Sequence, residues 1–296
     1  MKVSGNLSFF FILADNYIIM VLGIDIGGTT TKIAGFRKAR ICGVISVQAD
    51  DPVTSASGAL GKFTDEFSLK LRDIETIAVT GVGADSIGKE LFGIPVRRVP
   101  EFTAIGHGGL FLAGLKKAVV ISMGTGTAIV LADGNEIRHL GGSGIGGGTL
   151  IGLSRYILNS TDFQNIVDLA AKGNLGNVDL NIRDISQVEM GNIPFSATAS
   201  NFGKHSDKAS QADLALGLIN LVCQSIGMMG VFSSREEKAD EIVLTGKLVK
   251  LPQAVKIFNR LGKVFGKKFI IPDYAEYCTA VGSAYSISLV GDRACL

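Results

Sequence analysis

Short apolar runs that end in glycine and threonine recur along this chain, and their spacing predicts its elements. The first run, Ile18 to Ile26, carries one acid, Asp25, and breaks at Gly27-Gly28-Thr29-Thr30-Thr31. Apolar positions resume at Lys32-Ile33-Ala34-Gly35-Phe36, which predicts a buried strand, a tight turn and a returning strand. Residues 21–36 and 41–48 read as strands of one meander. Leu60, Phe63, Phe67 and Leu71 then recur at helical spacing, predicting an amphipathic helix over about 55–72. Ile74 to Thr80 reads as a buried strand ending in Thr80-Gly81-Val82-Gly83-Ala84, and Val96 to Val99 as a short strand that delivers Glu101.

A second unit opens in the same way. Ala118 to Met123 is an apolar strand, Gly124-Thr125-Gly126-Thr127 a second Gly/Thr turn, and Ala128 to Ala132 a strand leading back out. Strand, Gly/Thr turn and strand thus appear twice, about 100 residues apart, an echo of architecture and not of sequence. Two such hairpins could grip a polyphosphate from both sides. Arg138 precedes the densest glycine cluster, Gly141 to Thr149, and a helix follows with Leu150, Leu153 and Ile157 on one face. Backbone amides at the start of that helix suit an anion; a flexible hinge is the plainer reading. A long helix over about 209–232 is apolar except for Asp213, Asn220 and Gln224, so it belongs in a core or a subunit interface. Ile242 to Gly246 is another strand, and a last small-residue helix covers about 279–291.

Composition narrows the classes. A length of 296 residues suggests about two domains. With 47% hydrophobic residues and 38 glycines the chain can bury a full core and turn sharply. A net charge of +2 without a basic run gives no reason to expect nucleic acid or a membrane surface as partner. Cys42, Cys223, Cys278 and Cys295 are scattered without a CxxC pair, which argues against iron–sulfur or zinc and for reduced thiols in the cytoplasm. Cys223 reads as a small buried hydrophobe. Phe9 to Leu13 is too short for a signal-peptide core and Ala14-Asp15-Asn16 interrupts it, while no stretch reaches the roughly 20 apolar residues of a membrane span. Residues 1–19 read as an extension ahead of Met20, and the start residue, Met1 or Met20, stays open.

Each candidate for chemistry has a bland competitor. Glycines in the first turn let backbone N–H groups approach a phosphate, and an Asp at the strand end suits a metal that bridges phosphates. An ordinary Gly-rich hairpin with a solvated Asp is the alternative. Taken alone, Glu101 after Pro100 can be a solvated acid, and Arg138 a surface residue. His107, between Gly106 and Gly108, reads as a turn or helix-start residue. His139 and His205 lack partners at metal-ligand spacing, and Glu276 and Tyr277 fit exposed loop positions.

Taken together, the motifs resemble the sugar-kinase, Hsp70 and actin superfamily, and within it the type II pantothenate kinases. The resemblance runs from residue 21 to about 290. It rests on Asp25-Ile26-Gly27-Gly28-Thr29 and Ser122-Met123-Gly124-Thr125-Gly126-Thr127. Sharper markers are Val99-Pro100-Glu101-Phe102-Thr103-Ala104, the run from Arg138 to Gly148-Thr149-Leu150-Ile151-Gly152-Leu153, and Thr198-Ala199-Ser200-Asn201-Phe202-Gly203. Gln224-Ser225-Ile226-Gly227 before Leu244-Thr245-Gly246 completes the set. Two departures stand out: Gly246-Lys247 where eukaryotic members resemble Gly-Asn, and the N-terminal extension.

The resemblance implies an α/β fold of two ribonuclease H-like domains, residues 20–100 and 101–296, with an interdomain nucleotide cleft and a dimerisation helix in the second. It implies a cytoplasmic homodimer that phosphorylates pantothenate with ATP and Mg²⁺, the first step towards coenzyme A. Glu101 would be the general base, Arg138 the holder of the substrate carboxylate, and Asp25 the organiser of Mg²⁺. Gly27, Gly28, Thr29, Thr30 and Lys32, with Gly124, Thr125, Gly126 and Thr127, would cradle the phosphates. Gly146, Gly147 and Gly148 would border the nucleotide, and Gly246 would lie near the adenine. Ser122 or Thr125 would meet the pantothenate amide region, while Thr198 and Tyr277 match positions at which a neighbouring subunit closes the pocket. Inhibition by coenzyme A or an acyl-CoA stays open. Competing functions are a sugar or N-acetylsugar kinase, whose zinc cluster of cysteine and histidine is missing, and an ATPase activator of a CoA-linked dehydratase, whose bridging iron–sulfur cluster four dispersed cysteines fit poorly.

Overall fold

The computed structural model describes residues 20–37, 40–48, 51–188, 191, 193–204 and 208–293. The expectations for residues 1–19, His205 and Cys295 lie outside them. The chain divides into two compact units, Met1–Gly108 with Thr279–Leu296, and Gly109–Cys278.

In the first unit, β1 (Met20–Ile26), β2 (Thr30–Arg37) and β3 (Arg40–Gln48) form an antiparallel meander. Helix α1 (Pro52–Glu66) follows, then β4 (Ile74–Thr80), parallel to β1. β5 (Glu90–Leu91) and β6 (Ile94–Arg98) complete a sheet of order β3-β2-β1-β4-β6-β5. Strand alternation sorts the two faces. Leu22, Ile24, Ile26, Ile77 and Val79 pack with Ala56, Ala59, Leu60 and Phe63 of α1. Asp51 caps α1 by accepting the Thr54 N–H at 2.7 Å, and Pro52 opens the helix. The helix stops at Glu66, short of the expected 72, because Ser68 takes a left-handed φ of 51°. Phe67 still packs on Phe63 with ring centroids 4.6 Å apart. Helix α2 (Glu101–Ala113) starts where the carbonyl of Pro100 accepts the Ala104 N–H at 3.0 Å.

The second unit repeats the arrangement. β7 (Lys117–Met123), β8 (Thr127–Asp133) and β9 (Glu136–Ser143) form a second antiparallel meander. The connection contains α3 (Gly147–Ile157), α4 (Phe163–Ala170), β10 (Leu180–Asn181), α5 (Ile182–Ile185), β11 (Thr198–Ser200) and the long α6 (Gln211–Glu236). β12 (Glu241–Gly246) returns parallel to β7, followed by α7 (Pro252–Phe265) and β13 (Lys268–Ile270). The sheet order β13-β12-β7-β8-β9 matches five of the first unit's six strands, β6-β4-β1-β2-β3: a three-stranded meander with two strands added in parallel beside its first strand. Val119, Ile121, Met123, Ile242 and Leu244 share a core with buried residues of α3, α4, α6 and α7. Helix α6 is long and apolar enough to cross a bilayer, but its packed positions, among them Leu218, Ile219, Val222, Cys223 and Ile226, belong to this core. Burial pushes the Cys223 thiol up to about 12, as a small buried hydrophobe requires.

The last helix, α8 (Cys278–Arg293), returns to the first unit from Thr279 on. It covers the sheet face that carries Gly23 and Ala78: a side chain at Gly23 would collide with the Ala280 carbonyl, and Ser283 Oγ donates to the Ala78 carbonyl. The first unit is therefore discontinuous in sequence. Helix α2 begins in the first unit because Ala104 clusters with Ala78 and Val99, and its backbone meets that of α8 at Gly282.

Candidate active site

Asp25 lies at the end of β1, on the face covered by α8 and not on that of α1. In register, it stands opposite Lys32 on β2 and beside Thr80 on β4. Gly81 follows at a φ of 87°, and a Cβ there would lie 2.7 Å from the Asp25 carboxylate, so only glycine leaves the acid its space. The Asp25 carboxyl is pushed up to about 6, chiefly by burial, with the charge of Glu101 adding to the shift and Lys32 opposing it. Glu101 is exposed in the first turn of α2, where the helix terminus favours an anion. Strand β1 and helix α2 thus bring two carboxylates to one end of the first unit.

Beyond Asp25 the chain turns at Gly27, whose N–H meets the Thr30 carbonyl at 3.1 Å. Gly28 and Thr29 are exposed, and among the described residues none accepts their amides. The second hairpin has the same kind of tip. Thr125 is exposed, Gly126 half-buried, and among the described residues none accepts their amides either. Two adjacent free N–H groups on a turn form a concavity for an anion. Ser122 holds the place in β7 that Asp25 holds in β1, two residues before the glycine, and it is half-buried opposite Ala128.

The glycine cluster plays a different part from the one its composition suggests. The amides of Ile145, Gly146, Gly147 and Gly148 are all taken, by Ser143 Oγ, Thr149 Oγ1, the Gly124 carbonyl and the Thr125 carbonyl, at 2.8–3.1 Å. A Cβ on Gly146 would sit 2.5 Å from the Thr125 carbonyl oxygen, and one on Gly148 2.9 Å from Thr125 Cγ2. The N-terminus of α3 is therefore a backbone brace under the second hairpin, not an open anion site. Gly246, at a φ of 91°, closes β12 against the Met123 carbonyl.

Arg138 lies on β9. It pairs with Leu131 in the β8–β9 ladder, four residues from Thr127, hence about 13 Å along the strand from the hairpin tip. Its guanidinium forms a 2.5 Å ion pair with Glu237, just past the end of α6. A clamp on a substrate carboxylate would have to displace Glu237. Thr198 lies on β11, half-buried, with its hydroxyl donated to Asp179. Tyr277 is half-buried in the short turn Ala275–Tyr277, and the neighbouring Glu276 pairs with Lys250. His107, expected at a turn or a helix start, is buried within α2. Ser286 Oγ donates to the Gly282 carbonyl, so His107 Nδ1–H donates to Ser286 at 2.7 Å, and burial lowers the imidazole pKa. Among the described residues no cluster of three His, Cys, Asp or Glu side chains could hold a metal. Asp25 fits Mg²⁺ in the other manner, one carboxylate completed by phosphate oxygens and water, and its under-compensated charge favours a cation.

Two units that share a five-strand order, each with a Gly/Thr hairpin whose tip carries free amides, define a member of the sugar-kinase, Hsp70 and actin fold. Solved structures of that fold match nearly the whole chain. The activator of 2-hydroxyisocaproyl-CoA dehydratase from Clostridium difficile, with bound ADPNP, has a TM-score of 0.65 at 16% identity over 93% of this chain and 96% of its own. A ROK hexokinase from Thermus thermophilus has a TM-score of 0.58 at 13% identity, over 91% and 99%. At sequence level, the Fumble family model matches residues 117–285. Type II pantothenate kinase of Staphylococcus aureus (strain USA300) is 31% identical over 238 residues, 77% of this chain and 84% of that one. The chain belongs to the type II pantothenate kinase family.

Proposed function

We propose that this protein transfers the γ-phosphoryl group of ATP to the primary hydroxyl of pantothenate. The observation that carries the reading is Asp25 and Glu101 at one end of the first unit, beside a hairpin tip with free amides, in a chain of this family. Phosphoryl transfer asks a protein mainly for position and charge neutralisation. In the first unit the amides of Gly28 and Thr29, beside Thr30 and Lys32, suit phosphate oxygens, and in the second those of Thr125 and Gly126, beside Thr127, suit them as well. Asp25 would hold Mg²⁺, which would neutralise phosphate charge there. Glu101 takes the proton of the pantothenate hydroxyl; that oxygen bonds the γ-phosphorus as the bond to the β,γ-bridging oxygen breaks and ADP leaves. Ser122 or Thr125 reads the substrate amide region. Gly246 lies towards the base of the nucleotide, and the α3 glycines act through the hairpin they brace. Arg138, occupied by Glu237, is left out of the pocket.

The assembly is a homodimer through α6. Half-buried Leu221, Ser225 and Met228 and the exposed Phe232 recur at i, i+4, i+7 and i+11 on that helix, an apolar stripe suited to a second copy. Thr198 and Tyr277 complete the partner's pocket. An exposed, free Cys42 supports a reducing, cytoplasmic setting.

The test is ATP consumption by the purified protein with pantothenate, pantetheine and common hexoses offered separately. Pantothenate-dependent ADP release supports the reading; a response to a hexose and none to pantothenate overturns it.

A further inference from the structure

One buried carboxylate has no part in the proposed chemistry. Asp179, fully enclosed in the second unit, accepts four hydrogen bonds. Its Oδ2 takes Thr198 Oγ1 (3.1 Å), Asn201 Nδ2 (3.2 Å) and Asn220 Nδ2 (2.8 Å), and its Oδ1 takes the Phe202 N–H (3.0 Å). Phe202 is held at a φ of 55°, a conformation that a residue with a side chain adopts only when its surroundings impose it. Arg260 on α7 donates to Asn220 Oδ1 at 3.4 Å, and the charge of Asp179 opposes the effect of burial on that guanidinium. Three elements, β10–β11, α6 and α7, thus converge on one carboxylate.

The consequence falls on Thr198. A threonine hydroxyl has one hydrogen and two lone pairs. The hydrogen goes to Asp179, which as a carboxylate can only accept. Asn220 Nδ2 also lies 3.2 Å away, but its two hydrogens have nearer acceptors in Asp179 Oδ2 at 2.8 Å and Gln224 Oε1 at 3.1 Å. What this half-buried hydroxyl keeps for a substrate is acceptor capacity alone. We infer that Asp179 is a positioning residue for the substrate pocket, fixing the Thr198 hydroxyl as an acceptor so that it recognises a hydrogen-bond donor of the substrate and not its carboxylate. This rests on the reading of the protein as a pantothenate kinase with Thr198 at its pocket. The substrate donors in question are the amide N–H and the secondary hydroxyl of pantothenate.

The experiment measures KM for pantothenate, KM for ATP and kcat of the full chain and of Asp179→Asn, Thr198→Val, Thr198→Ser and the Asp179→Asn/Thr198→Val double variant, with a thermal melt of each. Asp179→Asn and Thr198→Val should each raise the pantothenate KM about tenfold, the scale of one lost hydrogen bond, with kcat and the ATP KM held. Thr198→Ser should stay near wild type, and the double variant should be no worse than the worse single one. A melt lowered in Asp179→Asn with the pantothenate KM unchanged would make Asp179 merely structural, and multiplicative losses in the double variant would separate it from Thr198. Substrate analogues decide independently of how Asp179→Asn folds. Pantothenate with an N-methylated amide, or lacking the secondary hydroxyl, should lose affinity for wild type and not for Thr198→Val. Equal losses on both proteins for both analogues overturn the inference. Failure of the wild-type protein to phosphorylate pantothenate removes the underlying reading, whereas activity with flat KM values across these variants removes the inference alone.

Discussion

The two Gly/Thr hairpins are alike in backbone and unlike in support, and the difference separates chemistry from architecture. The Gly27–Thr30 turn is braced by little beyond its own Gly27–Thr30 bond, and a Cβ on Gly28 would meet nothing within 4 Å. It carries the acid, Asp25, and the opposing Lys32. The Gly124–Thr127 turn carries Ser122 in place of the acid and is pinned from below by two amides of α3. One hairpin carries charge on its flanking strands; the other is a neutral, rigid wall. Glycine is present in both for different reasons, an open approach in the first and close backbone packing in the second.

The largest effect belongs to the acid that stands with the first hairpin. Glu101→Gln should lower kcat about 10²–10⁴-fold, the scale of a lost general base, while nucleotide binding persists. Turnover near wild type in that variant, measured with saturating pantothenate and ATP, would detach Glu101 from the chemistry and leave the first hairpin a phosphate grip only.

The contrast between open and braced glycines breaks cleanly on two substitutions. Gly146→Ala puts a methyl 2.5 Å from a backbone oxygen that cannot move without unhooking α3, so it should destabilise the fold by about 1–3 kcal/mol. Gly28→Ala should change stability by less than about 0.5 kcal/mol and act on the ATP KM instead. Denaturant melts without nucleotide decide it; equal losses from both would erase the distinction.

Much of this was legible in the sequence, and what was not has physical causes. The strands flanking both hairpins are apolar runs with unambiguous ends, so β1, β4, β7, β8 and β12 fall where the pattern puts them. Helix α2 is hidden by Gly106, Gly108 and Gly109, which weaken a helix in isolation; at Gly109 a Cβ would lie 2.6 Å from the Val120 side chain. Strand β9 is hidden by Gly141 and Gly142, which read as loop. The glycine cluster looks like an anion cradle because composition cannot tell a free amide from one already bonded. Asp179 went unseen for a related reason: its partners Thr198 and Asn220 lie 19 and 41 residues away, and only the fold assembles them. Asp25 was legible because its meaning is local.

Asp25 offers a test of charge in the first hairpin. Its folded pKa of about 6 lies above the ordinary 3.8, so its contribution to stability is present below about pH 4 and is lost as pH rises through 6. Asp25→Asn should therefore raise the Tm at pH 8, leave it unchanged at pH 4 and abolish metal-dependent nucleotide binding. In wild type, Mg–ADP affinity should fall below pH 6 as the carboxyl takes its proton. Lys32→Met should move that limb to higher pH and Glu101→Gln to lower pH, since the Lys32 charge lowers the Asp25 pKa and the Glu101 charge raises it. A limb unmoved by either would place the titrating group elsewhere. Ser122→Ala in the neutral hairpin should move none of it.

The smallest effect is expected at the position whose sequence promise was largest. Arg138 precedes the glycine cluster and invites a carboxylate, but Glu237 already supplies one, and the pair stands on the strand away from the hairpin tip. Arg138 is more than half exposed, so the ion pair is worth at most about 1 kcal/mol. Arg138→Ala and Glu237→Ala should therefore cost stability equally and modestly, and the pantothenate KM should stay within about twofold, against the roughly 10- to 100-fold that loss of a charged hydrogen bond to substrate brings. If Arg138 does exchange Glu237 for the substrate, Glu237→Ala would free it and lower the pantothenate KM while Arg138→Ala raised it. Opposite signs in these two variants would return Arg138 to the pocket; matching small effects keep it as a tie between β9 and the end of α6.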